Sequence, residues 1–213
     1  MSDAPVRLHH RLEPEDQARA DFYALLARLF GDAPDAALLG AIAHAPALAP
    51  ATRTEYGGDA DGIAVAWDAL RAASAAMDPE AARDEYQTLF VGVGRSEVSL
   101  YASHYLGPQS GRPLAELRAT LARLGLGRRP ESSEFEDHLA VVLETMRMLI
   151  AGDIELRPAT IDIQRAFFDA HVLPWVFECC GAISASPVAN YYRQVAELTQ
   201  SLVALERDSF AIE

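Results

Sequence analysis

Apolar residues recur along most of this chain with the period of an α-helix. Ala18, Phe22, Leu25 and Leu29 fall at i, i+4, i+7 and i+11, after a Pro14-Glu15-Asp16 start and before Gly31. A shorter helix is expected from about Pro34 to Ala45 with Leu38, Leu39 and Ile42 inward, and another carries Ile63, Trp67, Leu70, Ser74 and Met77. Asp78-Pro79 reads as an N-cap and first-turn pair, opening a helix whose face is Ala82, Tyr86 and Leu89. Pro113 starts a helix with Leu114, Leu117, Leu121 and Leu124 on one side, closed by Gly125 and Gly127. Ser133-Glu134-Phe135-Glu136 has the form of a capping box, predicting a helix of about four turns with Phe135, Leu139, Val142, Met146 and Leu149 on its face. Ile161, Phe168, Val172, Trp175, Cys179 and Ile183 keep helical phase through Pro174, where a kink or break is expected. Pro187 is expected to open the last helix, with Tyr191, Val195, Leu198, Leu202 and Leu205 inward.

No segment reads as a strand, and no internal repeat is present. The pattern predicts an all-α fold, a single-domain multi-helix bundle over 1–213. Disorder is expected at 1–13, a mobile loop at 46–60, and a central connecting segment at 92–107. The 213 residues suffice for one sizeable core.

Charge narrows the partners. All 18 basic residues are Arg, set against 31 Asp and Glu, for a net charge of -13. That balance argues against nucleic acid, whose binding requires neutralised phosphates. It suits a cationic partner, and it also serves solubility. No apolar run approaches the roughly 20 residues of a membrane helix, so no stable membrane insertion is expected. The N-terminal MSDAPVRLHHRLEPEDQ lacks the apolar centre of a secretory signal. Cys179 and Cys180 are adjacent and cannot staple distant segments, which fits a reducing, cytoplasmic setting.

Three groups of residues could carry chemistry. On a helix, Glu134, Asp137 and His138 would share one sector that could hold a cation, pair with guanidinium groups or exchange protons. Spacing alone favours the plainer reading, in which the acids complement a helix dipole and His138 caps the core boundary. His171 and Trp175 lie one turn apart and read as core packing with a satisfied ring. Tyr101, Ser103 and Tyr105 alternate beside a turn at Gly92 and Gly94, and residue types alone leave packing and a ligand surface equally open. Metal signatures of the Glu-x-x-His, Cys-x-x-Cys and His-Glu-x-x-His types are absent, as are the phosphate-loop and dinucleotide fingerprints. No metal and no cofactor is therefore expected.

Taken together these motifs resemble the TorD/DmsD/NarJ-like chaperones that mature molybdenum-containing oxidoreductases. Tyr86, Leu89, Phe90 and Gly92 match that family's Tyr-x-x-Leu-Phe-x-Gly. Tyr101, Ser103 and Tyr105 match its Pro-Pro-Tyr-x-Ser-x-Tyr, with Ser99 and Leu100 in place of the prolines. Glu134, Asp137 and His138 match its Glu-Pro-x-Asp-His, with Phe135 in place of Pro. His171 and Trp175 fit a later His…Trp pattern, and Tyr191 and Tyr192 a Tyr-rich opening of the last helix. The resemblance runs from about Asp21 to Glu206.

It implies a cytoplasmic, non-catalytic chaperone that holds the twin-arginine signal peptide of a molybdoenzyme precursor until cofactor insertion. Glu134, Asp137 and His138 would meet the polar end of the peptide. Tyr101, Ser103, Tyr105, Trp175, His171, Tyr86 and Phe90 would form or border the groove. A possible homodimer is implied as well, since some members exchange segments. Two other readings stand beside this one: an assembly factor that binds the mature client, and a helical metal-dependent hydrolase using the Glu134–His138 sector.

Overall fold

Pro14 begins α1 (Pro14–Gly31), with Glu15 and Asp16 in its first turn and Tyr23, Leu26, Leu29 and Phe30 turned into the core. The computed structural model describes residues 12–48, 60–92, 96–107, 111–127, 134–153 and 156–212, with backbone alone at 60 and 61. Most of the segments expected to be disordered (1–13) or mobile (46–60) lie outside those residues, as do Gly94 and Ser133. The remaining helices are α2 (Ala36–His44), α3 (Ala60–Ala76), α4 (Pro79–Tyr86), the short α5 (Ala102–Tyr105), α6 (Arg112–Arg123), α7 (Leu139–Ala151), α8 (Ile161–His171), α9 (Val176–Ala185) and α10 (Tyr191–Ile212). The all-α fold is as the pattern predicts: among the described residues the only extended pairing is one isolated bridge.

Helix α1 packs along α7, where Gly31 lets the chains approach until a Cβ there would sit 3.6 Å from that of Ala140. On the other side α10 lies against α3 and α9, and α2 closes over α3. Apolar burial runs continuously from Ala20 on α1 to Phe210 on α10. Asp78 caps α4 by accepting from the Glu80 and Ala81 amides, as Asp-Pro predicts. Past Tyr86 the chain widens into a π turn at Gln87–Val91, closed by Gly92 N–H donating to the Gln87 carbonyl at 2.7 Å. Gly92 sits at φ 62°, a conformation that favours glycine.

Two helix starts differ from the sequence pattern. Helix α7 begins at Leu139, not at Ser133, so Glu134, Asp137 and His138 lie on a turn before it and not on one helical sector. The reason is non-local: the Leu139 amide donates to the Leu100 carbonyl at 2.7 Å and the Ala102 amide to the Asp137 carbonyl at 2.9 Å. That pairing holds His138 extended, and Phe135 is left half exposed instead of facing the core. Helix α10 likewise starts at Tyr191, not Pro187. Its first free amides, Asn190, Tyr191 and Tyr192, all donate to the buried Glu85 carboxylate of α4 at 2.8, 3.0 and 2.8 Å. The expected break at Pro174 is present: α8 and α9 meet at 51°, and His171 and Trp175 fall on either side of it. Among the described residues no single helix is long and apolar enough to cross a membrane. Only the bent α8–α9 pair matches in length and composition, and Phe167, Phe168, Val176, Cys179 and Ile183 of that pair are buried within the protein.

Candidate functional site

The central connecting segment folds back on the π turn, with the Val98 amide donating to the Leu89 carbonyl at 2.9 Å. It then pairs with the turn before α7 through the Tyr101–His138 bridge. This pairing brings two of the sequence motifs together although they are more than thirty residues apart. The Tyr101 hydroxyl donates to the Glu134 carboxylate, and its ring meets the His138 imidazole edge-on with centroids 5.0 Å apart. The Asp137 carboxylate accepts from the Ser103 amide at 3.0 Å, capping α5. His138 Nδ1 accepts from the Ala140 amide at 3.2 Å and caps α7, so the neutral ring carries its proton on Nε2.

The electrostatics follow from burial and from the two acids. Burial first, then the bond to Glu134, holds the Tyr101 phenol well above its usual range. Tyr86 is pushed up to about 12 by burial, with the Asp32 and Glu134 charges adding to it. Burial also lowers the His138 imidazole, against the opposing pull of Glu134 and Asp137. An unfolded chain takes up that proton near pH 6.5, the folded chain only at lower pH. This contribution to stability is complete above about pH 6.5 and is lost as pH falls through the window between the two values. His171, lowered mainly by burial, acts in the same direction. His138→Asn keeps an acceptor for the Ala140 amide and removes the titration. Its unfolding stability in urea is expected to fall less steeply than that of the wild type between about pH 7 and pH 5. An unchanged slope would place the acid sensitivity elsewhere.

Beside this turn lies a cleft of about 330 Å³, bounded by Ala102 and Leu106 of the central segment, Arg112 and Glu116 of α6, Asp137 and His171. Asp137 is 2% exposed and Glu116 is open to solvent. The His171 ring is held against α6 by an Nε2–Thr120 Oγ1 hydrogen bond of 3.0 Å. Carboxylates with neutral imidazole and backbone groups around a small concavity can accept several guanidinium or ammonium donors. Among the described residues no three His, Cys, Asp or Glu side chains converge as a metal site, so the hydrolase reading finds no donor set there.

The sequence-predicted residues fall into two layers. Asp137 and His171 line the cleft, while Glu134, Tyr101 and His138 form the polar cluster next to it, with Tyr86 close enough to feel the Glu134 charge. Ser103 contributes its amide to Asp137. Tyr105, Trp175 and Phe90 do not line the cleft. Tyr105 stacks on Trp175 at 5.7 Å and donates to the Ser99 carbonyl, and Trp175, 1% exposed, donates to the His171 carbonyl at 2.8 Å. Phe90 packs among Phe30, Tyr86 and Tyr192. Leu106, Arg112 and Glu116 were not singled out from the sequence. The pattern marks only the apolar side of α6, and the i, i+4 pairing of Arg112 with Glu116 at 2.7 Å is ordinary for a solvated helix face.

Residues 57–181 match the nitrate reductase delta subunit family, which covers more than half of the chain. The Chaperone protein TorD of Photobacterium profundum is 33% identical over 127 residues, 55% of this chain and 58% of that relative. The chain thus spans under two thirds of the length of the curated relative it matches.

Proposed function

Starting from the fact that the chain belongs to the nitrate reductase delta subunit family, the TorD/NarJ-like family that its motifs resemble, we propose that it is a non-catalytic, cytoplasmic chaperone of a molybdoenzyme precursor. It binds the twin-arginine signal peptide of that precursor and releases it after cofactor insertion. The observation that carries this reading is the position of Asp137. A carboxylate that is almost completely withdrawn from water lies in the wall of a cleft large enough for side chains, with Glu134 close by. A guanidinium entering such a site forms charge-assisted bonds in a medium that screens them less than water does. The net charge of -13 adds long-range attraction for a cationic leader.

The leader is also what separates this reading from binding of the mature client. In a pull-down with the purified chain as bait, a molybdoenzyme precursor is expected to be retained with its leader and lost without it. Equal retention of both forms would support the assembly-factor reading. Retention of neither, across a panel of such precursors, would overturn the chaperone reading.

A further inference from the structure

The Asp137 cleft already contains a guanidinium. Arg112, the first residue of α6, lines it and donates from Nε to the Glu116 carboxylate at 2.7 Å. The charged groups in the cleft wall are thus Asp137, Glu116 and Arg112, and with His171 neutral they leave a single negative charge. Local rules do not favour the Arg112–Glu116 pair. A cation in the first turn of a helix opposes the helix dipole, and an i, i+4 pair with the basic residue first is the weaker orientation. Both side chains are more than half open to water, 78% for Arg112 and 57% for Glu116, so the pair contributes little to stability. Asp137 is the opposite case, a carboxylate withdrawn from water and fixed by the Ser103 amide. The wall therefore offers one buried acid and one exposed acid that a resident arginine already engages.

We propose that Arg112 is a specificity-determining residue of the cleft, a tethered competitor that holds Glu116 and limits the leader to one guanidinium bound at Asp137. The proposal rests on the twin-arginine reading above and adds how many arginines the cleft reads and which side chain sets that number. One entering guanidinium neutralises the cleft at Asp137, where burial screens the charges less than water does. A second reaches Glu116 only by displacing Arg112, and the exchange of one exposed guanidinium for another gains little. Without the Arg112 charge, Glu116 accepts the second arginine and the cleft reads both.

The test is titration calorimetry at low ionic strength on a panel of molybdoenzyme leaders, each as the natural peptide, with either arginine of the pair replaced by Ala, and with both replaced. The wild type is expected to bind the better single-arginine form within about twofold of the natural leader, and the form lacking both about tenfold more weakly or worse. Arg112→Gln is expected to bind the natural leader about threefold tighter than the wild type does, and about threefold tighter than it binds the better single-arginine form. Arg207→Gln removes the same charge from α10, at an exposed residue that does not line the cleft, and is expected to behave as the wild type. If Arg112→Gln proves unstable by circular dichroism, Arg112→Ala takes its place with the same expectation. Wild-type binding that falls several-fold with the loss of either arginine overturns the proposal and leaves the twin-arginine reading intact. So does an Arg112 variant that ranks the peptides as the wild type does, or an equal gain in Arg207→Gln, which would assign the effect to net charge. Absence of wild-type binding to every leader, or equal binding with and without the arginine pair, overturns the twin-arginine reading and the proposal with it.

Discussion

Replacing Glu206 by alanine is expected to cost about 3 kcal/mol of folding stability, the lower end of the range for breaking a buried ion pair. Glu206, on α10, accepts from Arg19 Nε at 2.7 Å and from a second guanidinium nitrogen at 2.9 Å, and the Tyr23 hydroxyl adds a third bond at 3.2 Å. The carboxylate side chain is 3% exposed and that of Arg19 16%, so water cannot fully replace what is removed. Asp16, at 2.8 Å, and Gln164 still hold parts of the guanidinium, which keeps the cost from rising further. The pair ties the first helix to the last, near the α8 start that Gln164 marks. Urea unfolding at unchanged m-value reads the effect directly. Removing both charges together, as Arg19→Leu with Glu206→Leu, is expected to recover much of the loss, because the penalty lies mainly in the stranded cation. A single Glu206→Ala variant as stable as the wild type would show that the pair contributes little to the fold.

Most of the helical faces were legible because each depends only on local spacing; on α1 the spacing marks Ala18, which is exposed, while Tyr23, Leu26 and Phe30 join Leu29 in the core. Asp78-Pro79, Pro113 and the break at Pro174 were legible for the same reason: capping and the missing proline amide act within one turn. The misreadings share the opposite cause. Ser133-Glu134-Phe135-Glu136 has the form of a helix start, yet the turn at Asp137 and the extended His138 are held by backbone bonds to Leu100 and Ala102, far away in sequence. Helix α10 starts where a carboxylate 105 residues earlier can reach its amides. A signal for such partners was nevertheless present. Arg19, Glu85 and Glu206 each sit in phase with the apolar face of their helix: Arg19 with Phe22 and Tyr23, Glu85 with Ala82 and Leu89, Glu206 with Leu198 and Leu202. A charge on an inward face requires a buried partner, and all three have one.

For the candidate site, the motif residues were legible as types and their grouping was not. Tyr101 and Glu134 could be named from the sequence, but only the bridge between their segments joins them. Trp175, which spacing alone reads as core packing, is buried against Tyr105, and Phe90 is half-buried among Phe30, Tyr86 and Tyr192. Glu116 carried no mark at all, since a solvated helix face and a cleft wall use the same residues.

The central claim, that the Asp137 cleft reads the arginine pair, is tested most directly by calorimetry on a two-by-two set. Wild type and Asp137→Asn are each titrated with a molybdoenzyme leader and with the same leader carrying alanines for its arginine pair. The side-chain amide of Asp137→Asn retains an acceptor for the Ser103 N–H, so α5 keeps its cap while the charge is removed. The wild type is expected to lose at least about tenfold in affinity when the arginines are removed, roughly 1.4 kcal/mol. Asp137→Asn is expected to bind the intact leader as weakly as the wild type binds the substituted one, with little further loss on substitution, because the two changes remove the same interaction. Equal binding of both leaders by the wild type, or full discrimination by Asp137→Asn, would contradict the assignment.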